Sequence, residues 1–317
     1  MTAAIDRLRA MDVGDILDHA VALYRSNFGV LLGIHAVAYV PFWLAIGFSA
    51  HLMAGSAFRL AAFEGEARAG GYDPLMDLLA AVLLVSMVSA AILVVEPVAT
   101  AAMARAVSEQ VLGRSLSVRA AYAALRGRVW ALILASVVRL SAAYGAYNLL
   151  SLAAFGATPA LAATGAAGIA LSVVLNLGAA LAGSVLFVYL AFVGQIIAIE
   201  RRGAGDALSR CWRLVQGRMW RTGGILGLLG LLALGLAFAF EAPMLAAAAF
   251  LLPRGPGPGE AAIVTTVIVA VTALASILGT PVLSVGATLT YYDLRVRREG
   301  FDLEMMASSV GEPGAAR

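Results

Sequence analysis

The sequence has no lysine, a single cysteine, three histidines and little charge of either sign. Charged residues make up 13% of its 317 residues and hydrophobic residues 62%, whereas an ordinary soluble domain has about 25% charged residues. A chain of this composition cannot bury its apolar side chains in a globule and still present a solvated surface, which excludes a soluble enzyme. High hydrophobicity also excludes a disordered protein. We therefore expect lipid to solvate most of the chain.

The scarcity of cysteine and histidine limits the chemistry that the chain can perform. Cys211 has no second cysteine to pair with, which excludes an intramolecular disulfide and a cysteine-based zinc site. His19, His35 and His51 fall at different depths of the predicted topology, so they predict no metal site. Nucleophile, phosphate-loop and metalloprotease signatures are also missing from the sequence. We therefore expect no catalytic residue, no metal, no cofactor and no enzymatic activity.

Long apolar runs are the dominant feature of the sequence. A bilayer core about 30 Å thick requires roughly 20 apolar residues in a helix. Six runs meet this length, and they predict an all-α integral membrane protein that forms a single membrane domain over residues 1–317. The predicted spans cover residues about 28–53, 78–104, 129–155, 166–199, 223–252 and 261–291.

The arginines predict the orientation of these spans. Of the 22 arginines, 18 lie before the first span, between spans two and three, between spans four and five, or after span six. Arg59, Arg68 and Arg254 lie on the opposite side. By the positive-inside rule we expect both termini, including a tail at 294–317, to lie on the cytoplasmic side of an inner (cytoplasmic) membrane. The first 27 residues are polar and amphipathic, so we expect span one to be retained as a signal anchor.

A short pattern precedes spans one, three and five. In each copy an aliphatic residue stands five positions before an aromatic residue, with polar or basic residues between them. The aromatic residues Phe28, Trp130 and Trp220 are predicted to anchor the helices at the membrane interface. The copies are Leu23–Phe28, Leu125–Trp130 and Val215–Trp220.

An amphipathic pattern lies before or across each copy, and predicts helices at about 13–27, 116–128 and 205–221. Such helices lie in the headgroup plane. The favoured architecture is therefore three repeats of an interfacial helix followed by a transmembrane hairpin. The alternative is that any protein with several spans carries basic amphipathic segments before them.

Three stretches together resemble the bacterial family of the membrane domain of membrane-anchored glycerophosphoryl diester phosphodiesterases. The resemblance covers most of the chain and implies a standalone six-span protein without a catalytic domain. The phosphodiesterase itself is a (β/α)₈ barrel of about 250 residues, for which this chain has no room. The stretches are residues 12–32, 206–221 and 291–304.

Charged side chains inside the spans are expensive, so they are the candidate functional residues. Glu96 and Arg139 each lie about nine residues from the cytoplasmic ends of spans two and three, which is a depth of roughly 13 Å at 1.5 Å per residue. One interpretation is a polar pocket that these two residues form with His35 and Gln195, in which Arg139 contacts a lipid headgroup or a small anion. The other is an ion pair that only sets the packing of the helices.

The sequence thus favours a non-enzymatic scaffold or accessory to membrane components or lipids. The alternative is a transporter or lipid-translocating protein that uses the Glu96–Arg139 pocket. Expected partners are membrane lipids, including anionic headgroups on the cytoplasmic side, and other proteins or further copies of the chain. Nucleic acid is not expected, because the arginines lie in short segments next to the spans.

Overall fold

The computed structural model describes residues 10–61, 74–162, 165–251 and 258–301. Within these ranges the chain is helical and contains no β-strand. The helices are α1 (Val13–Ser26), α2 (Phe28–Ala61), α3 (Pro74–Val111), α4 (Val118–Ala123), α5 (Val129–Ala162), α6 (Ala166–Tyr189), α7 (Val193–Gln195), the π-helix π1 (Ile196–Glu200), α8 (Ala204–Val215), α9 (Met219–Leu251) and α10 (Pro258–Glu299).

Six helical stretches of the described chain are long and apolar enough to cross a membrane, which confirms the predicted number. A helix pairs its backbone N–H and C=O groups internally, which is why apolar sequence of this length is helical in lipid. The stretches are Phe28–Ala54, Leu79–Val111, Val129–Ala153, Ala166–Glu200, Met219–Met244 and Ala262–Glu299.

Several helices continue beyond the predicted spans at the arginine-rich end. Helix α3 continues to Val111, and α9 begins at Met219 rather than at residue 223. Helix α10 continues to Glu299, so the first residues of the predicted tail, 294–299, are helical. Hydropathy falls at these ends, but the helices continue because side chains four residues apart pair, as Arg295 does with Glu299.

The fourth predicted span is interrupted. Helix α6 ends at Tyr189, and after a turn the chain resumes as α7 and π1. The backbone N–H of Phe192 in this turn donates to the Cys211 Sγ at 3.3 Å. Arg201, in the left-handed region at φ 58°, ends the segment. The interruption turns the end of this span toward α8.

The long helices form a closed ring. Neighbours along the chain pack as pairs, α2 with α3, α5 with α6, and α9 with α10. The ring closes because α3 also contacts α5, α6 contacts α9, and α10 contacts α2. Small residues allow the closest approach: a Cβ on Gly183 of α6 would lie 2.9 Å from the Ala143 carbonyl oxygen of α5.

The buried core lies at one end of this ring, which we call the basic end. It comprises α1, α4, α8, α7, π1 and the last turns of α3 and α10. There the Ser108 and Tyr292 hydroxyls lie 2.7 Å apart, and the Tyr291 hydroxyl donates to the Glu200 Oε1 at 2.7 Å. Helix α10 therefore contacts both α3 and π1 in the middle of the ring.

The short helices pack against the bundle with their apolar faces. Helix α1 buries Ile16, Ala20 and Tyr24, and the Tyr24 hydroxyl donates to the Leu278 carbonyl oxygen of α10 at 2.8 Å. Helix α8 buries its apolar face in the same core. Protein therefore covers the apolar faces of these two segments, and their position in the headgroup plane stays a prediction.

The middle short helix is much shorter than predicted. Helix α4 covers only Val118–Ala123, against a predicted range of about 116–128. A turn follows it, in which Gly127 has a φ of 80°, and α5 begins at Val129. Gly217 has a φ of 82° at the matching position before α9. Glycine adopts this left-handed conformation without steric cost, which allows each turn to enter the next helix sharply.

Candidate functional site

Glu96 of α3 and Arg139 of α5 are in contact, as the sequence suggested. The Arg139 Nη2 lies 3.4 Å from both the Oε1 and the Oε2 of Glu96. One nitrogen is therefore shared between two oxygens, and the pair lacks the two parallel hydrogen bonds of a bidentate guanidinium–carboxylate contact. The contact leaves most of the hydrogen-bond donors of Arg139 unused.

The surroundings of the two charges differ. The side chain of Arg139 is 12% exposed, and that of Glu96 is 31% exposed. The guanidinium carbon lies 5.4 Å from the centre of the Phe187 ring, within cation–π range. The Thr100 hydroxyl donates to the Glu96 Oε1 at 3.3 Å, whereas the buried Arg139 Nε has no hydrogen-bond partner. The pair thus presents a carboxylate at the surface and an unsatisfied guanidinium behind it.

His35 lies beside the pair rather than in it. Its ring is 3% exposed and stacks on Tyr39 at a centroid distance of 4.2 Å. Tyr39 is within electrostatic range of both Glu96 and Arg139. Tyr39 is therefore a neighbour of both His35 and the charged pair, and sequence reasoning missed it because tyrosine is common in spans.

Tyr122 of α4 contacts the same part of α2 from the side of the basic end. Its hydroxyl donates to the Ile34 carbonyl oxygen of α2 at 2.7 Å. Burial raises the pKa of Tyr122 to about 12, so the phenol stays protonated at neutral pH. This hydrogen bond joins the short helix α4 to the helix that carries His35.

Gln195 is buried on α7, which contacts both α3 and α5. Its Oε1 has no hydrogen-bond partner. Among the residues that the structure describes, neither Gln195 nor His35 hydrogen-bonds to Glu96 or Arg139. The predicted group of four residues is therefore one contacting pair with His35 and Gln195 near it.

The predicted aromatic anchors are exposed where the outer helices begin. Trp130 is 82% and Trp220 is 77% exposed, and Phe28 is 41% exposed. Phe28 is the first residue of α2, and the two tryptophans are the second residues of α5 and α9. All three stand at the junction between a basic segment and an apolar helix.

A charged network that the sequence analysis missed lies at the basic end. Asp293 of α10 is fully buried and accepts hydrogen bonds from the Met11 N–H at 2.9 Å and the Arg297 Nε at 2.9 Å. The Arg221 Nη1 also pairs with this carboxylate. Arg221 and Arg297 both donate to the Met11 carbonyl oxygen, at 2.7 and 2.8 Å. The network joins the start of the described chain to α9 and α10.

A second network centres on Glu200 at the end of π1. Its carboxylate pairs with Arg202 at 2.8 Å and with Arg210 of α8, and Arg210 also contacts Glu299 of α10 at 2.9 Å. Burial opposes the charge on Arg210, but its hydrogen bonds to Glu299 and Glu200 outweigh this and raise its pKa above the usual range. The sequence contains these acidic residues and arginines but does not indicate which of them pair.

Two grooves lie between the helices, and Phe187, which the Arg139 guanidinium contacts, is in the wall of the first. A groove of about 490 Å³ lies between α5, α6 and α9, and one of about 380 Å³ lies between α2 and α10. Apolar and aromatic residues line both, and neither includes Glu96 or Arg139 in its wall.

The described part of the chain contains no group of three histidine, cysteine, aspartate or glutamate side chains that could hold a metal ion. Burial raises the pKa of the Cys211 thiol to about 12, which disfavours the reactive thiolate. The cysteine packs within the core of the basic end.

Comparison with protein-family models, curated protein sequences and solved structures gave no match. The class of the protein therefore follows from its own architecture. The part of the chain that the structure describes is all-helical, and six of its helical stretches are long and apolar enough to cross a membrane.

Proposed function

We propose that the chain is a non-enzymatic multi-pass protein of the bacterial inner membrane, and that it acts as a scaffold or accessory to membrane components or lipids. One observation carries the proposal, namely the division between apolar helices and a packed basic end. Outside that end the long helices expose large apolar side chains such as Leu44, Leu149 and Leu231. At that end, the Ser108–Tyr292 and Tyr291–Glu200 hydrogen bonds connect α3, π1 and α10 into one platform, and Arg210 of α8 pairs with acidic residues of both π1 and α10. A platform of this kind presents a constant surface to partners.

The platform faces the cytoplasm in this proposal. The arginine bias supports the orientation, as do the exposed aromatic residues at the starts of α2, α5 and α9. Arg25, Arg119 and Arg126 are exposed and have no ion-pair partner within the described ranges. Each arginine near an anionic membrane surface contributes about 1 kcal/mol of attraction, so these side chains favour anionic lipids.

The proposed architecture has three repeats, each with a short helix, an outer long helix and an inner long helix. An acidic residue near the basic end of each inner segment supports it: Glu109 on α3, Glu200 on π1 and Asp293 on α10. Each pairs with at least one arginine. Glu109 and Asp293 each lie 12 residues after a helix proline, Pro97 and Pro281. The repeats also support the proposed kinship with the phosphodiesterase membrane domains.

Reporter fusions test the orientation. A reporter that is active only in the cytoplasm, fused after Arg317, is expected to be active, because the basic end faces the cytoplasm. The same reporter inserted after Gly71, between α2 and α3, is expected to be silent. A silent Arg317 fusion that is present at full length in the membrane fraction would overturn the orientation.

A second candidate function is transport or lipid translocation along the α3–α5 side of the ring. The specific observation that favours it is the partly exposed carboxylate of Glu96 in front of Arg139, whose Nε is unsatisfied. A charged side chain in a span is functional by default, since its burial is otherwise expensive. An anion or a lipid headgroup that reaches this site can accept hydrogen bonds from the unused donors of Arg139.

Proteoliposomes test this second candidate. If it is correct, the wild-type chain moves a fluorescent phospholipid or a small anion across the bilayer, and Arg139→Gln reduces the rate about tenfold, the effect of losing roughly 1.4 kcal/mol in the transition state. Arg119→Gln, at the exposed surface of α4, serves as the matched control and is expected to keep the wild-type rate. A wild-type rate no higher than that of empty vesicles would exclude the candidate.

A further inference from the structure

A groove runs between the second and third helix pairs, and small residues form it. Residues Ala143 of α5, Ala180 and Gly183 of α6, and Gly223 and Gly227 of α9 line it. Its volume is about 490 Å³, within the range of pockets that hold small molecules. Leucines at these positions would close the gap between α6 and α9. Glycine and alanine instead leave a channel on the side of the bundle.

The groove walls are apolar and aromatic. Tyr144, Tyr147 and Phe187 contribute aromatic rings to the wall, and Ser184 is its one hydroxyl outside the two tyrosines. The Ser184 hydroxyl donates to the Ala180 carbonyl oxygen of its own helix at 2.8 Å. The groove therefore offers a long aliphatic group extensive contact and offers a polar ligand few partners.

The end of the groove toward the basic end has a different character. Val188 and Gly223 line it there, and the next residue of α6, Tyr189, stacks on Trp212 of α8 at 4.2 Å between ring centres. Trp220 lies three residues before Gly223, on the same side of α9, and is 77% exposed. Aromatic rings of this kind mark the level of lipid headgroups.

Positive charge accompanies these rings. Arg213 follows Trp212, and Arg218 precedes Trp220 by two residues. The side chains of both arginines lack a carboxylate partner among the described residues, whereas Arg210 and Arg221 nearby are engaged in the ion networks. The segment that leads from α8 into α9 therefore carries positive charge without a carboxylate partner in the described ranges, a few residues before Gly223, and positive charge complements a phosphate group.

We propose that this groove binds one acyl chain of an anionic glycerophospholipid, with the phosphate at the mouth near Arg213 and Arg218. The inference deepens the proposed function and rests on insertion of the chain in a membrane. In lipid the groove cannot stay empty, because a void loses the dispersion contacts of its walls. An acyl chain matches its apolar walls, and the mouth matches the charge of the headgroup.

Two glycines of α9 provide a matched test. Gly227 lines the groove and Gly224 does not, and at both positions a Cβ would meet nothing within 4 Å. Gly227→Leu therefore fills the groove, whereas Gly224→Leu adds the same side chain to another face of the helix. Both changes replace glycine in a helix by a better helix former, so we expect both variants to fold.

The experiment is native mass spectrometry of the full-length chain after exchange into detergent that contains phosphatidylglycerol or phosphatidylcholine with the same acyl chains. The wild type and Gly224→Leu are expected to retain one phosphatidylglycerol, and Gly227→Leu to retain it about tenfold less, a change of roughly 1.4 kcal/mol. Retention of phosphatidylcholine by the wild type is expected to be lower. Ala180→Leu, on the opposite wall, repeats the test if Gly227→Leu does not fold.

Equal retention of lipid by Gly227→Leu and Gly224→Leu would overturn the groove as the site. Equal retention of phosphatidylglycerol and phosphatidylcholine by the wild type would overturn the proposed role of Arg213 and Arg218 in binding the headgroup. A chain that leaves the membrane fraction in alkaline buffer without detergent would contradict the proposed membrane protein itself. A chain that needs detergent but retains no lipid would contradict only the groove, so the two failures are distinguishable.

Discussion

Replacing Asp293 by asparagine is expected to lower the free energy of unfolding by about 3 kcal/mol, as is typical when one partner of a buried ion pair is removed. Asp293 is fully buried and serves three donors, the Met11 N–H and the guanidinium groups of Arg221 and Arg297. A neutral amide cannot balance two positive charges. The arginines keep about a quarter of their side-chain surface exposed, which sets the expected loss at the lower end of the range for buried pairs.

Denaturant titration of the purified protein in detergent, followed by circular dichroism, measures this change. Asp18→Asn is the matched control, because Asp18 is exposed on α1 and a surface change of this kind costs within about 0.5 kcal/mol. If Asp293→Asn matched the control, the basic end would not depend on this network. The prediction has a second readout, since loss of the Met11 contacts should expose the start of the chain to proteases.

Removing one member of the Glu96–Arg139 pair is expected to have the next largest effect. Arg139→Gln leaves the Glu96 carboxylate without a cation at a depth where the surroundings are apolar, at a cost of about 3 kcal/mol. The double variant Glu96→Gln and Arg139→Gln is expected to be more stable than the sum of the single changes predicts. A coupling energy of roughly 1–3 kcal/mol is typical of residues in direct contact.

A double-mutant cycle from the same denaturant titrations measures the coupling. Glu109 and Arg114, 3.8 Å apart, form the comparison pair. Glu109 is buried and also pairs with Arg105, but Arg114 is largely exposed, so solvent screens this contact and its coupling is expected to be below about 1 kcal/mol. Coupling at Glu96–Arg139 no larger than in the control would show that the two charges do not depend on each other. Combined with the flux measurement, the cycle separates a purely structural pair from one that also binds an anion.

The long apolar helices could be predicted from the sequence, because they depend only on the hydropathy and the length of each segment. The number of long apolar helices was predicted correctly. The depth of Glu96 and Arg139 followed from counting residues along two neighbouring spans, and the structure places them in contact. Both inferences need only the rise of a helix and the cost of charge in an apolar medium.

The ion pairs of the basic end could not be predicted from the sequence in the same way. Asp293 appears in the sequence as one acidic residue in an arginine-rich stretch, and nothing local indicates that Met11 and Arg221 pair with it. Helix α10 extends to Glu299 because contacts with Arg210 and Arg295 stabilise its last turns. These partners are distant in sequence, and hydropathy does not report pairing between charges.

The sequence by itself determined the apolar character of the long helices, their number, and the concentration of positive charge beside them, since composition and periodicity act locally. Only the tertiary structure decided that α1 and α8 pack on the bundle, that the inner segments meet at the basic end, and that the glycines of α6 and α9 leave a groove. The physical reason is that burial and ion pairing depend on which helices are neighbours. The scarce charge noted at the outset is therefore used chiefly to hold the helix ends together.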